Sequence, residues 1–478
     1  EACVLHPVTS GRRLKPALYA PVTSARRLKP ALYATDDVTP RHRDTETPRE
    51  VGLLLQCLGA SVCRSLGVVK TLISSLAAVA LLASTALVAQ TSGPDWPQFR
   101  EPSRDGVVAS FTEPKTWPER LTRVWKVDVG EGYAAPALVG NRVYTFTRQG
   151  ANEVMQALDA ATGKVVWQTR YAAPVTVNPA AQAHGPGPKA TPTFADGRLF
   201  TLGMGGIVTA FDAASGKQLW QKPAGPVLPL YGTAMSPLVD RGLVIVHVGG
   251  HNQGALTAFD AATGAVKWTW NGDGPSYASP IVADVDGVRQ VITLTQENIV
   301  GVSAGDGRLL WRRPFSTEYT QNIITPILMG RTLIVSGYQR PTAALRIVKK
   351  GDQWSLEDVW ENPAASLYMA DAVLVGDTLF GLSHRNSGQY VLLDVKTGKT
   401  VWTGMPRQAT NAAIVHAGNV VFSLEEDATL IVGRVSGTGF QELKRYTVAD
   451  GATWAEPAIS GNRIFVKDST TLALFTIP

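Results

Sequence analysis

Cysteine is almost missing from this chain: three in 478 residues, at Cys3, Cys57 and Cys63. Everything after residue 63 therefore lacks a thiol nucleophile, a thiolate metal site and a disulfide. Charge is also sparse, at 18% of residues, which excludes a coiled coil and wholesale disorder. Long apolar runs are scarcer still. Only Thr71–Ala89 approaches membrane-spanning length, so a polytopic membrane protein is excluded. The net charge of +6 lies mostly before residue 71, where eleven basic residues face six acidic ones. The main body is nearly neutral and lacks the electrostatic footprint of a nucleic-acid binder.

What is present divides the chain. Residues 7–20 (PVTSGRRLKPALYA) recur as residues 21–34 with one change, Gly11 against Ala25. No strand or helix period accompanies the copy, so residues 1–68 read as upstream translation or as an unfolded basic prefix. Residues 69–89 read as an export signal: Lys70, an apolar core from Leu72 to Ala83, then the small residues Ser84, Thr85 and Ala86. Translation is expected to start at Val69. Neither Cys57 nor Cys63 follows small residues suited to lipid-anchor processing, so the expected product is periplasmic or secreted, with no stable membrane insertion after signal cleavage. Residues 90–120 form an irregular leader.

From residue 121 onward the chain repeats. ALDAATGKVVW at 157–167 returns as AFDAASGKQLW at 210–220 and AFDAATGAVKW at 258–268, with worn copies ending at Trp311, Trp360, Trp402 and Tyr446. From Trp125 to Tyr446 the period is about 46 residues, the spacing of propeller blades. The Asp-Ala-Ala-Thr-Gly core makes a tight turn between strands. Trp125, Trp167, Trp220, Trp268, Trp311, Trp360 and Trp402 then supply apolar area to lock each blade on its neighbour. First-strand markers such as Ala135-Pro136, Ser236-Pro237 and Glu456-Pro457 number eight, one more than the complete Trp-type endings. The orphan strand at Leu121–Asp128 should therefore complete the last blade, Ala458–Ile477. The expected fold is all-β, an eight-bladed β-propeller of four-stranded antiparallel blades closed by its two ends.

The A-x-D-x-x-T-G-x-x-x-W motif resembles the repeat of the pyrrolo-quinoline quinone (PQQ) propellers, and the resemblance covers about residues 95–478. That family includes quinoprotein dehydrogenases and the eight-bladed lipoprotein of the outer-membrane assembly machinery. The resemblance implies the fold, and two functions: a non-catalytic binding or scaffold protein of the cell envelope, or a PQQ-dependent dehydrogenase oxidising sugars or alcohols with Ca²⁺. The adjacent cysteines of the alcohol-oxidising branch are missing, as is the C-x-x-C-H haem signature.

Blade geometry puts the loops entering each first strand on one face, with the loops joining second and third strands. The opposite face carries tight turns such as Gly140-Asn141 and Gly461-Asn462. Candidate binding residues cluster on the first face: Tyr133, His184, Tyr231, Tyr277, Asn322, Tyr368, His384, Arg385 and Trp454. A small ligand or a protein partner's extended segment suits such a funnel, although aromatics near a propeller axis also serve as plugs. Glu425, Glu426 and Asp427 form the one acidic run able to take a hard cation; solvated acids on a turn are the plainer reading. No catalytic residue and no zinc spacing is recognised.

Overall fold

The computed structural model describes residues 95–108 and 111–478. The prefix at 1–68 and the export signal at 69–89 lie outside the described residues. Within them the fold is all-β. Eight four-stranded antiparallel sheets follow one another around a ring, and three short 3-10 segments, Pro179–His184, Glu318–Thr320 and Arg385–Ser387, are the helical content. No helix among the described residues is long and apolar enough to cross a membrane.

The second blade shows the local logic. Strands Thr193–Ala195, Arg198–Leu202, Val208–Asp212 and Gln218–Lys222 run from the axis outward. Its two middle strands are buried almost throughout, as expected of strands covered on both sheet faces by neighbouring blades. The outermost strand is largely exposed and commits its Trp220 to the next blade. Phe200, Leu202, Val208 and Trp220 pack with Val244, Val246 and Phe259 of the third blade. Core clusters of this kind recur between successive blades.

Ring closure follows the expected strand exchange. Thr122–Asp128 pairs antiparallel with Thr471–Thr476, giving the eighth blade its outer strand while Ala458–Ser460 and Arg463–Lys467 complete it inward. Thr471–Thr476 is thereby paired on both sides.

The leader enters the ring itself. Trp96 is fully buried and bridges to Leu138, while Asp95 accepts the Gly140 N–H on the turn face. From there the chain turns into the axis. Arg100 donates to the Ala372 carbonyl at 2.7 Å and its backbone N–H to Glu456 at 2.9 Å. Arg104 donates to the carbonyls of Ser236, Pro237 and Pro280. These partners belong to the first strands of four different blades or the residues just before them, so one short stretch reaches across the channel. Arg100, Glu101 and Arg104 all adopt positive φ, a conformation that costs non-glycine residues energy and is repaid by these buried bonds. Val107–Val108 then pairs parallel with His416–Ala417, adding a fifth strand to the seventh blade.

Candidate functional site

With the axis crossed by the leader, what remains open is a funnel on the loop-rich face. Its cavity holds about 510 Å³ and is lined by Tyr133, His184, Tyr231, Tyr277, Tyr368 and Trp454, together with Lys189, Tyr319, Gln321, Met369 and small apolar residues. That volume lies in the range of small-molecule sites. The lining comes from the loops entering seven of the eight blades.

Each aromatic is placed by contacts between neighbouring loops. The Tyr133 and Ala134 N–H groups both donate to Pro188 O, at 2.8 and 3.0 Å, tying the first entering loop to the second. Gly187 permits this approach: a β-carbon there would lie 2.4 Å from the Glu131 carbonyl oxygen. Lys467, fully buried, fixes the other side by donating to the Gly130, Gly132 and Asp468 carbonyls. His184 consequently sits edge-on to Trp454 at 4.5 Å and to Tyr133 at 6.4 Å. Across the funnel, Tyr231 and Tyr277 rings lie 5.9 Å apart, and the Tyr231 N–H donates to the Tyr277 hydroxyl at 3.2 Å. The Tyr368 hydroxyl donates to Gln321 at 2.7 Å.

Asn322, His384 and Arg385 take other positions. Asn322 is completely buried; its side-chain amide donates to the carbonyls of Thr295 and Phe315, both at 2.8 Å, while its backbone carbonyl accepts the Tyr277 N–H at 3.0 Å. It holds the loop between Gln321 and Ile323 and leaves the lining to them. His384 stands behind the wall, against Tyr338 at 4.9 Å and Tyr368 at 5.8 Å. Arg385 begins a short 3-10 turn outside the lining.

Lys189, Tyr319 and Tyr338 were not recognised from the sequence. Tyr338 adjoins Arg340 in a joining loop that the period already placed on this face; it supports Tyr368 at 4.8 Å. Lys189 stands three residues before Pro192, the register in which Tyr133, Tyr277 and Trp454 precede Pro136, Pro280 and Pro457, so the repeat did carry a signal for it.

The titratable groups around the funnel are shifted mainly by burial. Desolvation pulls Lys189 down to about 8. Burial, then the nearby Lys189 charge, lowers His184, favouring a neutral imidazole at pH 7. Tyr368 is raised to about 12 by burial and its tyrosine neighbours, and Tyr277 is raised as well, so both hydroxyls keep their protons.

The acidic run is split up. Glu425 is buried, accepts from the Tyr390 hydroxyl at 3.1 Å and faces Arg445; burial raises it to about 7. Glu426 instead accepts from Thr410 and Asn411 backbone N–H groups, and Asp427 from Thr429 N–H. No group of three His, Cys, Asp or Glu among the described residues is arranged to hold a metal ion. Calcium takes six to eight oxygen ligands, and the funnel lining contains no carboxylate. The residues present therefore do not fit a calcium-bound quinone in this funnel.

The tryptophans occupy blade interfaces. Trp125, Trp167, Trp220, Trp268 and Trp360 each donate the indole N–H to a turn carbonyl of the following blade, at 2.8–3.1 Å. Trp311 bonds Gln290 within its own blade, because the fifth blade replaces the tight turn with the long hairpin of Arg340–Lys350 and Gln353–Asn362. Trp402 packs against Phe440 at 6.1 Å.

Fold, repeat and funnel together define a PQQ-type propeller, an eight-bladed ring with a binding-type cavity on its loop face. The family model described as outer membrane protein assembly factor BamB matches residues 122–185 and 151–404, more than half of the chain, and the chain belongs to that family. The assembly factor BamB of Burkholderia pseudomallei is 26% identical over 377 residues, covering 72% of this chain and 85% of the relative. The quinone-dependent alcohol dehydrogenase subunit of Acetobacter aceti is 32% identical over 158 residues, but this covers 31% of the chain and 21% of that protein. The crystal structure of BamB from Moraxella catarrhalis superposes with a TM-score of 0.56 at 17% identity, over 75% of this chain and all of that one. Quinohemoprotein alcohol dehydrogenase from Comamonas testosteroni gives 0.58 at 15% identity, over 80% of each chain. At such identities the two structures speak for the fold.

Proposed function

We propose that this chain is a non-catalytic, exported scaffold in outer-membrane protein assembly, holding a partner on its loop-rich face. The observation that carries this reading is the funnel: aromatic, without a carboxylate, and lined by tyrosines that keep their protons. Such a surface offers contact area and hydrogen bonds to a partner. The family match and the extent of the Burkholderia pseudomallei relative support the assembly role over the dehydrogenase role, whose relative shares only a segment of repeats. In this reading residues 69–89 direct export to the periplasm.

Complementation tests the reading. In a bacterium deleted for its own family member, the wild-type chain should restore outer-membrane barrel protein levels, as should Asn141→Ala on the turn face. The Tyr277→Ala/Tyr368→Ala double variant should not, at equal abundance and melting temperature. A folded, exported wild-type chain that restores nothing, or a double variant that restores fully, overturns it.

A further inference from the structure

The funnel is chemically lopsided in a way that specifies its occupant more closely. Its walls carry Tyr133, Tyr231, Tyr277, Tyr319, Tyr368 and Trp454, and its lining has no Asp or Glu. One amine, Lys189, lies among them. Its Nζ donates to the Tyr231 carbonyl at 3.2 Å, and no carboxylate among the described residues pairs with it. A half-buried cation without a counter-charge has lost part of its hydration with no ion pair in return, which favours an anionic ligand over a cationic one.

A second donor is anchored on the same residue. The Tyr277 hydroxyl accepts the Tyr231 N–H, so its own hydrogen stays free to donate. The two backbone groups of Tyr231 thus hold an ammonium and a phenol at one wall of the cavity. Facing outward at the rim, Tyr319 lines the cavity while 60% exposed. It and Thr320 both adopt left-handed backbone, φ 60° and 57°, an arrangement that strains a bulky residue and presents an aromatic ring to water.

We propose that the funnel binds a flat aromatic group carrying a single carboxylate, with the ring among Tyr231, Tyr277 and Tyr319 and the carboxylate on Lys189 and the Tyr277 hydroxyl. This rests on the reading of the funnel as the binding face. One cation matches one carboxylate, and the tyrosine walls accept a ring face-on or edge-on. The same chemistry occurs in a free aryl-alkyl acid and in an aromatic residue at the C-terminal end of a polypeptide.

Calorimetric titration of the full chain with four probes tests the inference: 3-phenylpropanoate, its amide, the peptide Ala-Ala-Ala-Ala-Phe, and that peptide amidated at its C-terminus. The acid forms should bind at least tenfold more tightly than the amides. Lys189→Met should remove that preference, Lys189→Arg should keep most of it, and Lys164→Met on the turn face should change nothing. Tighter binding of the peptide acid than of phenylpropanoate assigns the ligand to a chain end; the reverse assigns it to a small molecule. Equal binding of acids and amides, an acid preference that survives Lys189→Met, or no binding of any probe at millimolar concentration overturns the inference. A chain that restores barrel assembly yet binds no probe sinks this inference alone, whereas probe binding without restored assembly sinks the assembly role alone.

Discussion

Trp220 lies against Gly264 of the next blade so closely that a β-carbon on the glycine would fall 2.7 Å from the indole ring. The indole N–H also donates to Ala261, in the same turn, at 3.0 Å. Trp167 with Gly216, Trp268 with Gly307 and Trp360 with Gly398 repeat the contact. The turn glycine thus answers two demands: positive φ within its own blade and room for the tryptophan of the blade before. Trp220→Ala should cost about 3–5 kcal/mol, as deletion of buried Trp does. Gly264→Ala should cost about 1–3 kcal/mol through strain and displacement of the ring. Chemical denaturation checks both; a Gly264→Ala chain of native stability would mean that the contact is loose.

The closing strand carries a prediction about solubility. Removing residues 122–128 should leave Thr471–Thr476 unpaired on its outer side and expose an edge strand whose interior, Leu472–Phe475, is buried and apolar in the ring. Light scattering should then report aggregation and calorimetry a lower melting temperature. Unchanged behaviour on both measurements would mean that the ring is closed by other contacts.

Glu456 gives the axis a pH dependence. Burial raises its carboxyl to about 7 despite the opposing Arg100 charge, against an ordinary value of 4.5. Since the folded chain holds this proton more tightly than the unfolded chain, the stability associated with it is present at low pH. It is lost as pH rises from about 4.5 through 7. Buried histidines such as His247, lowered to about 4, act in the opposite direction, so the comparison must be internal. Glu456→Gln keeps an oxygen for the Arg100 N–H and cannot ionise. Its melting temperature relative to wild type should climb between pH 5 and pH 8. A difference that is flat or falls over that range contradicts the assignment.

Lys467 supports the funnel from below by bonding three carbonyls that have been withdrawn from water. Lys467→Met should leave them unsatisfied and cost about 1–3 kcal/mol. Because Gly130 and Gly132 lead into Tyr133, amide exchange should accelerate first at residues 130–134. Exchange that stays slow there while overall stability falls would place the effect elsewhere.

Much of the ring was legible in the sequence because it is written periodically. The Asp-Ala-Ala-Thr-Gly turn followed by tryptophan, the surplus first strand and the orphan Arg123-Val124-Trp125 strand are local patterns, and ring closure follows from leaving no edge unpaired. The repeat also placed Tyr133, Tyr277, Tyr368 and Trp454 on one face, since equivalent positions in equivalent blades point to a common axis. Tertiary structure decided what periodicity cannot carry. Asn322 lies one residue before the lining position, which Ile323 holds in that loop, and its amide is drawn into the wall by three carbonyls of other segments. Tyr319 reaches the funnel from a short turn with left-handed backbone that no repeat position marks. The leader, free of any repeat, delivers Arg100 and Arg104 to carbonyls more than 130 residues away in sequence. A tandem sequence specifies what each blade shares with the others. The contacts that differ from blade to blade depend on which loops meet across the axis, and only the folded ring brings those loops together.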